Sequence, residues 1–108
     1  NHGGRQLDRC APTADLIVSL RAAVGPDVPI VVDSGVHHGG DVAVALALGA
    51  DMAFIGRAYV YAVAAAGERG VAHVLEILTD EFRSVMQLSG VTSLAELRAE
   101  GPDLLGSR

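Results

Sequence analysis

The chain has no lysine and no tryptophan, one cysteine, and only two tyrosines and two phenylalanines among its 108 residues. Its eight cationic side chains are therefore all arginine, and the acidic residues outnumber them to a formal net charge of −5. That balance leaves no basic stripe for nucleic acid and no attraction to an anionic membrane surface, so neither is an expected partner. A lone Cys10 excludes an internal disulfide and fits a reducing compartment, and nothing around it resembles a thiol protease or a redox pair. Long hydrophobic runs are missing too. Each apolar stretch is broken by Gly, Asp or Arg before it reaches spanning length, so no transmembrane segment is expected. No signal-peptide pattern opens the chain. It begins on Asn1, inside a motif, so its true start is expected upstream. The expected location is cytoplasmic, with room left for an upstream targeting segment.

What is present fits a particular fold class. Half of the residues are hydrophobic, and with so few aromatics the core has to be built from Ala, Val, Leu and Ile. Such residues suit parallel strands covered by helices. A chain of this length supports one small core. Thirteen glycines imply many tight turns.

Read along the chain, 1–10 form a polar loop. Leu16, Ile17, Leu20 and Val24 fall on one helical face, closed by Gly25-Pro26. Val28 to Val32 reads as a buried strand interrupted by Pro29. Asp33 to Gly40 is a loop, Asp41 to Leu48 a short helix ending at Gly49, and Met52 to Ile55 a second strand. Gly56-Arg57 turns into a helix from Ala58 to about Ala66, punctuated by Gly67 and Gly70. Val71, Val74, Leu75, Leu78, Phe82, Val85 and Met86 then make one long amphipathic stripe. Ser93 and Glu96 have capping-box spacing for a last helix, and the tail over 101–108 is expected to fray. This alternation is α/β with a parallel sheet. Two strands make no stable sheet alone, so the segment over 1–100 fits the C-terminal portion of a (β/α)8 TIM barrel, incomplete on its own.

Two groups of residues carry chemistry. His2 and Arg5, three apart in a glycine-rich loop, could face one pocket: an imidazole able to take a proton near neutral pH, and a two-pronged donor for a carboxylate. On spacing alone they fit an ordinary surface loop equally well. The second group is Asp33 at the end of one strand and Gly56-Arg57 at the end of the next. Both precede helix N-termini, whose N–H groups and dipole favour phosphate. An isolated Gly-Arg pair more often serves only a turn. Adjacent His37 and His38 lack a Cys or a spaced carboxylate to complete a ligand set, so no metal is expected. His73, beside the long stripe, reads as structural.

The string Asn1-His2-Gly3-Gly4-Arg5-Gln6-Leu7-Asp8 closely resembles the active-site signature of the FMN-dependent 2-hydroxy-acid oxidases and dehydrogenases. Asp33 to Asp41, Ala45 to Ala50 and Phe54 to Arg57 resemble later parts of the same family, and the likeness runs on to Ser93-Leu94. The resemblance implies a homo-oligomeric, often tetrameric, barrel enzyme. It implies oxidation of a small 2-hydroxy acid (lactate-, glycolate- or mandelate-like) to the 2-oxo acid, with oxygen, a quinone or a cytochrome as electron acceptor. It further implies that His2 is the catalytic base and Arg5 binds the substrate carboxylate. Asp33 would bind the FMN ribityl chain, and Gly35, His37, Gly56 and Arg57 would surround its phosphate. Asp8 reads as structural. Family members also use upstream Asp, Tyr and Lys residues, so these residues alone are expected to be inactive without the remainder of the barrel.

Two departures stand out. Ser34 stands where the family usually has Gly, and His37 and His38 stand where it usually has Arg. His37 is therefore expected to act through its backbone N–H and its Nε2–H, with Arg57 carrying most of the charge. Two other readings remain: a different phosphate-binding flavin or nucleotide barrel, and a non-catalytic remnant of this family.

Overall fold

The computed structural model describes residues 6–105. Helix α1 (Thr13–Val24) leads to strand β1 (Val31–Val32), helix α2 (Gly39–Ala47), strand β2 (Met52–Ala53), helix α3 (Arg57–Ser89) and helix α4 (Leu94–Leu104). The two strands pair in parallel, Val31 with Met52 and Val32 with Ala53. Hydrogen bonds from Asp51 N to Ile30 O (2.8 Å) and from Phe54 N to Val32 O (2.7 Å) carry the ladder past both ends. Both strands are shorter than the apolar runs that predict them, because a two-stranded ladder leaves most flanking residues without a partner strand.

The α2 crossover is the centre of packing. Its Ala43, Ala45, Leu46 and Ala47 are all buried, which explains a sequence apolar on every side. On one flank Ala45 joins Ile17, Val32 and Ala50. On the other, Leu46 and Ala47 join Val91 and Leu97, with Phe82 and Met86 of α3 alongside. Small residues let α2 and α3 approach closely. At Gly39 an added Cβ would collide with Phe82 N and Leu78 O and lie 2.7 Å from Glu81 Cβ.

The apolar face of α1 is only partly used. Ile17 is 1% exposed, whereas Leu16, Leu20 and Val24 are 42%, 46% and 40% exposed. Two strands offer α1 less surface than its stripe could cover. In α3 the helix expected to end near Ala66 and its successor form one span, broken where Ala66 (φ −153°) and Gly67 (φ 58°) leave helical geometry.

Ser93 Oγ accepts from Glu96 N (3.2 Å) as its spacing predicts. The reciprocal carboxylate reaches Thr92 N (2.6 Å) and Thr92 Oγ1 (2.8 Å), holding the Glu96 carboxyl below its ordinary pKa. Within the segment 101–108 that was expected to fray, the chain is helical to Leu104 and Gly101 is buried against Ala47, while 106–108 lie outside the described residues. Close helix contact at a glycine outweighs that residue's poor helix propensity.

Arg21 is a structural hub that the sequence does not advertise. Its guanidinium donates to Gly49 O (2.9 Å), Gly25 O (2.9 Å) and Val28 O (2.8 Å), and to the Asp51 carboxylate. Asp51 also accepts from Ile30 N (2.8 Å). That backbone donor first, and Arg21 second, lower the Asp51 pKa. The cluster ties α1 to the segments entering β1 and β2. It therefore secures the amino ends of the strands and leaves their carboxyl ends for chemistry.

Candidate functional site

Parallel strands send their carboxyl ends to one edge of the sheet. There, Asp33, Gly35 and His37 follow β1, and Phe54, Gly56, Arg57 and Tyr59 follow β2. Together they line one cleft of about 410 Å³. Five of the seven candidate residues are thus brought together. His2 and Arg5 lie outside the described residues.

The loop after β1 makes its turn with two successive left-handed residues, Ser34 (φ 78°) and Gly35 (φ 77°). A side chain in that region strains against its own carbonyl, and glycine does not. The site where Ser replaces the family's usual Gly is therefore a strained one. Ser34→Gly is expected to be more stable than Ser34→Ala by about 0.5–1 kcal/mol, the left-handed cost less glycine's larger unfolded-state entropy. Both variants lack the hydroxyl, so denaturant unfolding of the pair isolates the backbone effect. Equal midpoints would show that position 34 is unstrained.

The two helix N-termini at the cleft differ in character. At α2, the Asp41 carboxylate accepts from both His37 N and His38 N, each at 2.8 Å, and the Glu81 carboxylate accepts from Gly39 N at 2.6 Å. Partial burial works to raise the Asp41 pKa. The two N–H donors and the nearby imidazoles outweigh it and leave the group below its ordinary value. Internal carboxylates thus hold donors that were expected to face a phosphate. At α3 no side chain caps the N-terminus and the first turn has no acid. Among the described residues nothing beyond the chain neighbours lies within 4 Å of where a Cβ would sit on Gly35 or Gly56, so both backbones are open to approach from these residues.

Arg57 Nη2 lies 3.3 Å from His37 Nε2. A guanidinium only donates, so Nε2 is the acceptor in this arrangement. Both groups expected of His37 have partners within the protein: its backbone N–H donates to Asp41, and Nε2 faces Arg57. His38 points elsewhere, with Nδ1 3.5 Å from Glu81 Oε1. The set of a guanidinium, an uncapped helix terminus and two open glycine backbones, with an imidazole beside the guanidinium, has the chemistry of a phosphate site. It fits the phosphate of FMN.

Asp41, Glu81 and Tyr59 were not singled out from sequence. His38-x-x-Asp41 has the spacing of a cap with an acid at its third position, which could have flagged Asp41. Glu81 acts across forty-two positions, and no local signal marks it.

A family model of the FMN-dependent dehydrogenases matches residues 1–103. The chain is 50% identical over 100 residues to L-lactate dehydrogenase of Chromohalobacter salexigens, covering 93% of this chain and 26% of that protein. The same identity and coverage hold for L-lactate dehydrogenase of Bartonella tribocorum. Among solved structures, a mandelate oxidase point variant with the monooxide FMN adduct superposes with a TM-score of 0.86 at 44% identity, over 91% of this chain and 31% of that one. Mandelate oxidase with benzoyl-formic acid gives 0.85 at 44% identity, over 91% and 29%. The chain spans about a quarter of the length of the curated relatives it matches. Sequence likeness over nearly all of the chain and a shared backbone agree with the phosphate chemistry of the cleft: the chain belongs to the FMN-dependent dehydrogenase family.

Proposed function

We propose that this segment is the last part of a (β/α)8 barrel enzyme that uses FMN to oxidise a small 2-hydroxy acid to the 2-oxo acid. The observation that carries the reading is the convergence of Asp33, Gly35, His37, Gly56 and Arg57 on one cleft at the carboxyl ends of two parallel strands. The half-used apolar face of α1 and the exposed Val31, Met52 and Phe54 support a continuing barrel, which would cover them.

In this reading Arg57 and the α3 N-terminus hold the phosphate, and Gly35 and Gly56 let backbone approach it. Asp33 accepts hydrogen bonds from the ribityl hydroxyls. Arg5 grips the substrate carboxylate with two parallel donors, and His2 takes a proton from the substrate. When bound, FMN supplies the two-electron acceptor. A homo-oligomer, a cytoplasmic location, and oxygen, a quinone or a cytochrome as final acceptor belong to the same proposal.

The test uses the full-length protein. It is expected to purify yellow and to bleach on anaerobic addition of lactate, glycolate or mandelate, the panel also ranking the substrates. A colourless protein that fails to take up added FMN would point instead to a non-catalytic remnant.

A further inference from the structure

We infer that seating the FMN phosphate in this cleft draws a proton onto His37, so that cofactor affinity falls as pH rises through the range in which imidazole loses its charge. The inference rests on the proposed flavin function, and the geometry of one pair carries it. With Arg57 Nη2 donating to His37 Nε2 at 3.3 Å, that nitrogen turns its lone pair to the guanidinium. Protonating Nε2 would set two cations side by side, which is unfavourable with no anion between them. A phosphate entering between them reverses the sign. It accepts from the guanidinium, releases Nε2 from its acceptor role, and favours the doubly protonated ring. Imidazole is the side chain whose charge changes between about pH 5 and 8, so this coupling falls in an ordinary working range.

Among the described residues the other charged groups near His37 do not supply this switch. Asp41 of α2 is held by the backbone N–H groups of His37 and His38, and its carboxyl is kept below its ordinary pKa first against the effect of burial and then by those donors. It stays anionic throughout the range. Asp33, on the cleft wall after β1, is also a carboxylate. Tyr59 of α3 also lines the cleft. His38 faces Glu81 of α3 and not Arg57. Arg57 is charged at every relevant pH. His37 is the group in this cleft whose neighbour is a fixed cation and whose charge an arriving phosphate would change.

The experiment is calorimetric titration of FMN into the full-length apoprotein at pH 7.5 in buffers of different ionisation enthalpy, which counts protons bound per flavin. Uptake approaching one proton is expected, with affinity falling up to tenfold per pH unit through the imidazole range. Riboflavin, which lacks the phosphate, should bind without uptake. His37→Arg should bind FMN with no uptake and a flatter pH profile, and His37→Gln should also show none. His38→Gln should keep the wild-type uptake. The titration of the phosphate itself is common to all these proteins and cancels in the comparison. FMN binding without proton uptake, or uptake that survives His37→Gln, would overturn the inference and leave the flavin function standing. Failure to bind FMN at all would overturn both.

Discussion

His2→Asn in the full-length protein is expected to slow reduction of the flavin by a 2-hydroxy acid about 10²–10⁴-fold, the usual contribution of a positioned general base. FMN content should be unchanged, because the phosphate cleft is built from residues after β1 and β2. Asn keeps the approximate size and a hydrogen-bonding head but cannot take a proton. Among the described residues lining the cleft the histidine is His37, and it stands at the phosphate end beside Arg57. It is therefore badly placed to substitute. Anaerobic stopped-flow absorbance separates the steps. Binding of the substrate should persist through Arg5, and the subsequent bleaching should become slow. Bleaching at the wild-type rate would remove His2 from the mechanism.

The second large effect is structural. Gly39→Ala is expected to destabilise the full-length protein by about 3 kcal/mol, at the upper end for overpacking, because the obstacles are the backbone atoms Phe82 N and Leu78 O and not a flexible side-chain tip. The same change should weaken FMN binding. Moving α2 away from α3 disengages Gly39 N from Glu81 and shifts the loop that carries Gly35 and His37. Gly40→Ala is the internal control. Its Cβ would meet only Val85 Cγ2 at 3.9 Å, so it should be neutral or slightly stabilising in a helix. Chemical denaturation of the three proteins with fluorescence titration of FMN reads both effects. Equal midpoints for the two alanine variants would mean that the α2–α3 approach has slack that the structure does not indicate.

Much of the architecture was legible because its causes are local. Gly25 closes α1, Ser93 and Glu96 open α4, and the long stripe from Val71 to Met86 marks α3. All of these act within one or two helical turns. The order of elements, and hence the parallel pairing, followed from alternation of strand and helix. Harder to read were the strand lengths, which depend on neighbours, and the helical end at Leu104, which depends on Gly101 meeting Ala47. In the site, residue types and positions were legible from the glycines, Asp33 and Arg57, but their allegiances were not. His37 was read as a backbone donor, whereas Asp41 holds that N–H.

By itself, the sequence determined the segment's class and its chemical vocabulary: a parallel α/β segment with an Ala-rich crossover, and a turn carrying a permanent cation next to a helix start. It also set the compact run from Asn1 to Asp8 that marks the family. These follow from period, capping and side-chain type, none of which needs a distant partner. Tertiary packing decided which of two helix termini stays open to an anion. A carboxylate forty-two positions away closes α2, and among the described residues no comparable group caps α3. It also decided that Arg57 and His37 share one hydrogen bond, which makes the imidazole sensitive to phosphate, and that Arg21 braces the opposite edge. Long-range pairs of this kind exist only once the crossover helix has drawn separate stretches of chain together, because burial fixes where backbones meet before any polar group selects its partner.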